Sequence, residues 1–131
     1  MQEHHLFEYA VVRVVPYVER EEFLNAGVVL FCAKQKFLKA VFELDKKRIS
    51  AFCARLDLND LNEYIHSFER ICEGSKNGGP IAQLPQVERF RWLTATRSTI
   101  LQTSKVHPGL CTDASEMLMR LYSQLVQIKP S

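Results

Sequence analysis

The chain has 131 residues, 47% of them hydrophobic and 24% charged, with a formal net charge of +2. This composition is typical of one globular domain that buries a core without disulfides or a metal, and it excludes polynucleotide binding driven by total charge. No apolar run reaches the ~20 residues that cross a bilayer. We therefore expect a single cytoplasmic domain over residues 1–131, with four reduced cysteines in apolar surroundings.

The first third of the chain predicts three strands. Residues 6–18 are dense in β-branched and aromatic residues, and Pro16 ends or bends this segment. Residues 25–33 form a second predicted strand, in which Gly27 marks a bulge or a close approach. Residues 37–44 follow after a short polar connector, which predicts an antiparallel hairpin. The unbroken apolar run VVLFCA indicates that the second strand is central and heavily covered.

The middle of the chain predicts two helices, because apolar residues recur there at spacings of three and four. Asp45 can cap the first helix, which runs through Leu56. Asp57 or Asn59 can cap the second, which Gly74 ends.

The remaining segments complete the predicted fold. Residues 73–85 read as a flexible surface loop, 87–93 as a short helix and 98–106 as a polar edge strand. The letters HPGL then predict a turn, and Asp113 begins the last helix. The order β-β-β-α-α-(α)-β-α predicts an α+β fold, a mostly antiparallel four-stranded sheet with helices packed on one face.

Arg13 interrupts the apolar first strand, where a buried guanidinium requires a carboxylate, a carbonyl or a ligand. Glu19, Glu21 and Glu22 lie just across the first turn, so we expect an internal ion pair, with anion binding as the alternative. Asn25 offers a similar choice between a turn residue that bonds its own backbone and a group that faces a pocket.

Residues 89–110 hold three arginines, one lysine, one histidine and the only tryptophan, without an acidic residue. These residues either decorate a polar edge strand or line a cleft that holds an anion. The group that could line such a cleft comprises Arg97, Ser98, Thr99 and His107. A nucleic-acid interface is the alternative, with the tryptophan stacking on a base. Its residues would be Arg89, Arg91, Trp92 and Lys105.

Catalytic motifs are missing from the sequence. There is no phosphate-binding Gly-rich loop, no metal-ligand spacing and no nucleophile motif, so we expect no cofactor and no metal. An enzyme with His107 as general base or acid, Arg97 as oxyanion partner and Glu22 as orienting carboxylate is therefore the hypothesis we rank last.

Two blocks of the sequence form a pattern over most of the chain, YAVVRVVPYVEREEFLNAGVVLF and RFRWLTATRSTILQTSKVHPGL. The first contains Arg13, Pro16, Arg20, Glu22, Asn25 and Gly27. The second contains Phe90, Leu93, Arg97, Ser98, His107 and Gly109. This pattern resembles the short bacterial proteins of domain-of-unknown-function family 3037 (DUF3037). Glu21 stands where relatives often have glycine, which leaves a tight turn there in question.

The resemblance implies no activity and no catalytic residue. It implies a protein partner, a kinase-like protein resembling the HipA toxins, and it favours a shared site. We predict that this ligand site consists of Arg13, Glu22, Asn25, Arg97, Ser98 and His107. The sequence thus favours a non-catalytic protein-interaction or regulatory module; the alternative is a nucleic-acid or phosphate-ester binding protein that uses the basic segment 89–107.

Overall fold

The fold is built around a long first strand. The computed structural model describes residues 3–43, 45–53, 55–95 and 99–127. Strand β1 (His5–Val14) pairs antiparallel with β2 (Leu24–Cys32), and β2 pairs antiparallel with β3 (Phe37–Phe42). Every β2 residue after Asn25 is buried, which confirms that this strand is central. The register shifts where Gly27 and Asn25 meet β1, so the predicted irregularity near Gly27 is confirmed.

Two short strands share the other edge of β1. Strand β4 (Leu101–Thr103) pairs with the carboxyl-terminal half of β1, and β5 (His107–Cys111) pairs with the amino-terminal half. The sheet order is β3-β2-β1-β4, with β5 also on β1. The α+β class and the antiparallel sheet are confirmed, and the described residues form five strands rather than the predicted four. The predicted edge position of the fourth strand is also confirmed.

The turn predicted for HPGL is wrong, because this segment is most of β5. Pro108 lacks an N–H group, but only one side of β5 pairs with β1, so the strand can accommodate a proline. Gly109 lies opposite Phe7, whose ring would come within 2.6 Å of a Cβ at that position. Gly109, which suggested a turn, instead allows close packing at a sheet edge.

Four helices of the described residues cover the sheet, and their caps follow the sequence. They are α1 (Lys46–Phe52), α2 (Leu58–Glu73), α3 (Gln86–Leu93) and α4 (Ala114–Leu125). The side chains of Asp45, Asp57 and Asp113 accept hydrogen bonds from backbone amides of α1, α2 and α4, and Gly74 ends α2 in the left-handed conformation. Helix α1 ends earlier than predicted because Cys53 already has an extended backbone.

The helices lie on both faces of the sheet, so the predicted single covered face is wrong. Val29 and Phe31 of β2 belong to the same core as residues of α2 and α3. Val28 and Leu30 belong to a second core with Leu118 of α4. Neighbouring residues of a strand face opposite sides, so α4 covers the face that α2 and α3 leave open. A central strand that is apolar on both faces requires this arrangement.

The two longest connections contain short 3-10 turns. In the β1–β2 connection, Glu21 has a φ of 55°, which lies in the left-handed region. The tight turn is therefore present, although this chain has glutamate where relatives often have glycine. Residues 73–85, predicted to be a flexible loop, contain the turns Lys76–Gly78 and Ile81–Gln83, and Ala82 is buried.

Candidate functional site

Arg13 lies on the face of the sheet that α4 covers. Its strand neighbours Val12 and Val14 belong to the opposite core, and its partners across the sheet are Asn25 on β2 and Gln102 on β4. Residues directly opposite each other in an antiparallel sheet point to the same face. Three polar side chains therefore form a row across β2, β1 and β4.

An aromatic ring holds the Arg13 guanidinium in place. The guanidinium carbon lies 4.0 Å from the centroid of the Phe23 ring, which is a cation–π contact. The Phe23 side chain is 45% exposed, so the pair lies at the surface. The Arg13 Nε atom is buried without a hydrogen-bond acceptor, and an unpaired buried donor costs about 1–3 kcal/mol.

The expected ion pair of Arg13 does not form among the described residues. Glu22 pairs with Arg20 instead, and both side chains are exposed. Glu19 and Glu21 are also exposed, and neither contacts Arg13 within ion-pair distance. The ion pair that we expected for Arg13 from the sequence is therefore wrong. Among the described residues, its half-buried guanidinium has no acidic partner.

Asn25 is a strand residue that reaches the end of α4, not a turn residue. Its Nδ2 atom donates to the carbonyl of Leu125 at 3.2 Å, which satisfies one of the free carbonyls at the end of that helix. Its Oδ1 atom is buried and accepts from no donor of the described residues. Arg13 and Asn25 thus lie opposite each other, and each keeps one buried polar atom without a partner.

His107 lies on the same face as Arg13 but at a different place along it. Its ring contacts that of Tyr9, its partner in β1, with the centroids 5.3 Å apart and the ring planes tilted by 36°. Tyr9 and Arg13 are four residues apart, which is roughly 13 Å along a strand. Glu22 lies beyond the far end of β1 from His107, so the structure does not bring the two together. Arg97 and Ser98 lie outside the described residues.

The basic segment does not form one surface. Arg89 is buried, its Nε donates to the carbonyl of Leu84, and its Nη1 donates to those of Ile71 and Cys72, all at 2.8 Å. These acceptors lie at and after the end of α2, so Arg89 caps that helix and is occupied by the fold. The other described cations of the segment, Arg91 and Lys105, are exposed.

An apolar cleft, which the sequence did not predict, lies between α2, the end of α3 and β4. Its volume is about 300 Å³, and Phe68, Leu93 and Leu101 contribute to its apolar wall. Tyr64 and Trp92 lie at its opening, 46% and 38% exposed respectively. We call it the Tyr64–Trp92 cleft. A large aromatic residue at a polar position of α2 is the one signal that could have indicated it.

The main chain of β4 borders this cleft and faces outward. The Ile100 carbonyl accepts from the Val15 amide at 2.7 Å, and the Ser104 amide donates to the Val11 carbonyl at 2.8 Å. Alternate residues of a strand direct their main-chain groups to the same side, so those of Leu101 and Thr103 point away from β1. In the described part of the chain, no strand pairs with this outer edge.

Comparison with known families gives one match. The family model described as "Protein of unknown function (DUF3037)" matches residues 9–126, which span both sequence blocks and all five strands except the start of β1. The chain belongs to the DUF3037 family. No curated protein matches it, and no solved structure matches it.

The residues that carried the DUF3037 resemblance have two different roles in the fold. One group packs closely against neighbouring side chains and consists of Gly27, Phe90, Leu93 and Gly109. Of the described polar residues in the pattern, Arg13 and Asn25 are directly opposite each other, whereas Arg20, Glu22 and His107 are exposed elsewhere. The family pattern therefore contains residues that pack in the fold as well as polar residues that could form a shared site.

Shifted pKa values in this DUF3037 protein belong to core groups. Burial raises the pKa of the Cys72 thiol to about 12 and also raises that of Cys111. Burial, together with the neighbouring Glu43 carboxylate, raises the pKa of Tyr122 to about 12. Among the described residues, no three His, Cys, Asp or Glu side chains are grouped as metal ligands, and no helix is long and apolar enough to cross a membrane.

Proposed function

We propose that this DUF3037 protein is a non-catalytic interaction module of the bacterial cytosol that binds an extended segment of a partner protein. The segment pairs with the outer edge of β4 and places an apolar side chain in the Tyr64–Trp92 cleft. The observation that carries this proposal is the position of the cleft directly beside outward-facing main-chain groups.

Strand addition explains why these two features lie together. In this type of recognition, main-chain hydrogen bonds provide affinity, and a pocket beside the edge selects a side chain of the added strand. Within the described residues, the Thr103 main chain and the Leu101 amide have no partner on the outer edge, whereas the Leu101 carbonyl accepts from the Thr99 hydroxyl at 2.7 Å. Tyrosine and tryptophan at the cleft opening are among the residues that most often dominate protein interfaces.

The same cleft supports a second candidate function, the binding of single-stranded nucleic acid. Tyr64 and Trp92 could stack on bases, while the exposed Arg91 and Lys105 could contact phosphates. Arg89 takes no part in this alternative, because its guanidinium is held by carbonyls inside the fold. We favour the protein partner because an edge strand contributes main-chain hydrogen bonds that base stacking does not use.

Site-specific photo-crosslinking in the native host tests the proposal. A benzophenone amino acid replaces Thr103 or, in a separate variant, Tyr64, and the adducts are identified by mass spectrometry. We expect both positions to capture the same protein, and the HipA-like kinase implied by the family resemblance is the first partner to look for.

Met119 provides the control position. It is 49% exposed and belongs to α4, beside β3 at the opposite edge of the sheet. A benzophenone at Met119 should not capture the partner. Adducts that are equally strong from Met119, or that disappear after nuclease treatment, contradict the proposal, and the second result supports the nucleic-acid alternative.

A further inference from the structure

A second site, independent of the Tyr64–Trp92 cleft, is formed by Arg13 on the other face of the sheet. Cationic side chains in the interior of a strand normally have an acidic partner. The ion pairs of the described residues are Arg20–Glu22 and His66–Glu69, and neither includes Arg13. The guanidinium also has no hydrogen-bond acceptor in the described part of the chain. The described residues therefore supply no acceptor for the Arg13 guanidinium.

The geometry of Arg13 leaves its two terminal nitrogens as the available donors. Nε is buried, and the guanidinium carbon lies over the Phe23 ring. Neither Nη1 nor Nη2 is an unpaired buried atom, and neither pairs with a carboxylate of the described residues, so both have access to solvent. These two atoms form the parallel pair of N–H donors that matches the two oxygens of a carboxylate. Stacking on Phe23 fixes the side chain, so little conformational entropy is lost when a ligand binds.

The surroundings of Arg13 favour a carboxylate carried on an apolar body. Phe23 and Leu125 are both partly exposed large apolar residues, and Asn25 connects them by lying opposite Arg13 and donating to the Leu125 carbonyl. Arg48 donates from Nη1 to the Val126 carbonyl at 3.3 Å, so it is directed toward the end of α4. The two parallel donors of one guanidinium match the two oxygens of one carboxylate.

We propose that Arg13, stacked on Phe23, binds the carboxylate group of a ligand. The ligand is either a small carboxylic acid or an acidic residue of a peptide, and both would offer the same two oxygens to Nη1 and Nη2. Glu19 and Glu21 in the β1–β2 connection are exposed, so salt screens their repulsion of such a ligand. The inference does not depend on the proposed function, because it concerns the opposite face of the sheet.

Nuclear magnetic resonance of the wild-type protein tests the proposal directly. Burial shields the Arg13 Nε–H proton from solvent, so its ¹H–¹⁵N signal should be observable near neutral pH. Sodium acetate, inorganic phosphate and sodium chloride are titrated separately at matched ionic strength. We expect acetate to shift the Arg13 signal saturably, with a Kd in the millimolar range, and chloride to leave it unchanged.

The protein contains its own control signal. The Nε–H group of Arg89 is also shielded, because it donates to the Leu84 carbonyl, and it should not respond to acetate. The variant R13K keeps the positive charge but loses the pair of parallel donors, and its Asn25 amide should respond at least fivefold more weakly than in the wild type. An Arg13 shift that is the same in acetate and chloride, or tighter binding of phosphate, overturns the carboxylate assignment.

A blocked tripeptide with a central glutamate distinguishes the two sources of the carboxylate. Binding at least tenfold tighter than that of acetate supports an acidic peptide, since the chain would add contacts with Phe23 and Leu125. Binding equal to that of acetate supports a small carboxylic acid. The same peptide with glutamine in place of glutamate should not bind, and binding of this control overturns the proposal.

Discussion

Arginine side chains in this chain differ most in the number of acceptors around them. Arg89 is buried and donates three hydrogen bonds to carbonyls, whereas Arg13 is half-buried and donates none to the described residues. Arg13 stands between two valines and Arg89 between Glu88 and Phe90, and neither local pattern specifies the acceptors that a guanidinium meets in the fold. The difference arises from packing, because α3 brings Arg89 against the end of α2.

Replacement of Arg89 by alanine should destabilise the fold severely. It removes the donor to the Leu84, Ile71 and Cys72 carbonyls, and buried acceptors without partners are costly. We expect the free energy of unfolding in urea to fall by about 2–4 kcal/mol. Arg91 is exposed on the same helix, and R91A should change this free energy by less than about 0.5 kcal/mol. Equal effects of the two substitutions would contradict the capping role of Arg89.

Among the elements, β4 and β5 behave as one interrupted strand whose two halves are joined by Ser104. The Ser104 Oγ accepts from the Val11 amide at 2.9 Å and donates to the Lys105 carbonyl at 2.9 Å. The Ser104 amide in turn donates to the Val11 carbonyl. A side-chain hydroxyl thus replaces a main-chain acceptor where the ladder between the two halves is broken.

The substitution S104A tests this junction. It leaves the buried Val11 amide without an acceptor, so the free energy of unfolding should fall by about 1–3 kcal/mol. Hydrogen exchange at the Val11 amide should become faster in the same variant. The matched substitution S115A, at an exposed position of α4, should alter neither quantity measurably. Unchanged exchange at Val11 would show that the hydroxyl is dispensable.

Much of the element structure follows from local chemistry. Asp45, Asp57, Asp113 and Gly74 predicted helix ends correctly, because a cap is decided by residues within one turn. The HPGL segment was mistaken for a turn, because its suitability as a strand depends on Phe7, a residue far away in the sequence. The long-range contacts of an edge strand therefore overrode its local turn signal.

The candidate sites were less predictable than the elements. The sequence identified Arg13 and Asn25 as unusual, but the available acidic residues nearby favoured an ion pair that the structure does not contain. The Tyr64–Trp92 cleft was missed because it combines residues of α2, α3 and β4, whose relative positions no sequence period determines.

On the scale of the whole molecule, α4 is fastened to the second face of the sheet at both ends. Gln35 holds its beginning, with hydrogen bonds to the Thr112 carbonyl and from the Ala114 amide. At its end, the Tyr122 hydroxyl donates to Glu43 Oε2 at 3.3 Å, and Asn25 donates to the Leu125 carbonyl. These contacts tie α4 to the hairpin, to β2 and to the end of β3.

This attachment predicts a loss of stability at alkaline pH. The Tyr122 pKa is about 12 in the folded protein and about 10 in the unfolded chain. The folded state therefore holds the proton more tightly, and the resulting stability is complete below pH 10 and is lost as the pH rises through 12. Between pH 9 and pH 11, the free energy of unfolding of the wild type should fall by about 1 kcal/mol more than that of Y122F.

The measurement is a pair of urea unfolding curves at each pH. Y122F retains the ring in the second core and removes only the titrating hydroxyl, so the other alkaline titrations cancel in the comparison. Parallel losses in the wild type and Y122F would show that Tyr122 ionises equally easily in both states.

The position of β1 has a consequence for the order in which the chain can fold during synthesis. β1, β2 and β3 are consecutive and can form a three-stranded meander as soon as they leave the ribosome. The second edge of β1 then stays unpaired until residues 101–111 have been translated, because its remaining partners lie there. Such a nascent intermediate exposes a ten-residue template for intermolecular pairing. Slower elongation through the helical middle of the chain would prolong this vulnerable interval and increase co-translational aggregation.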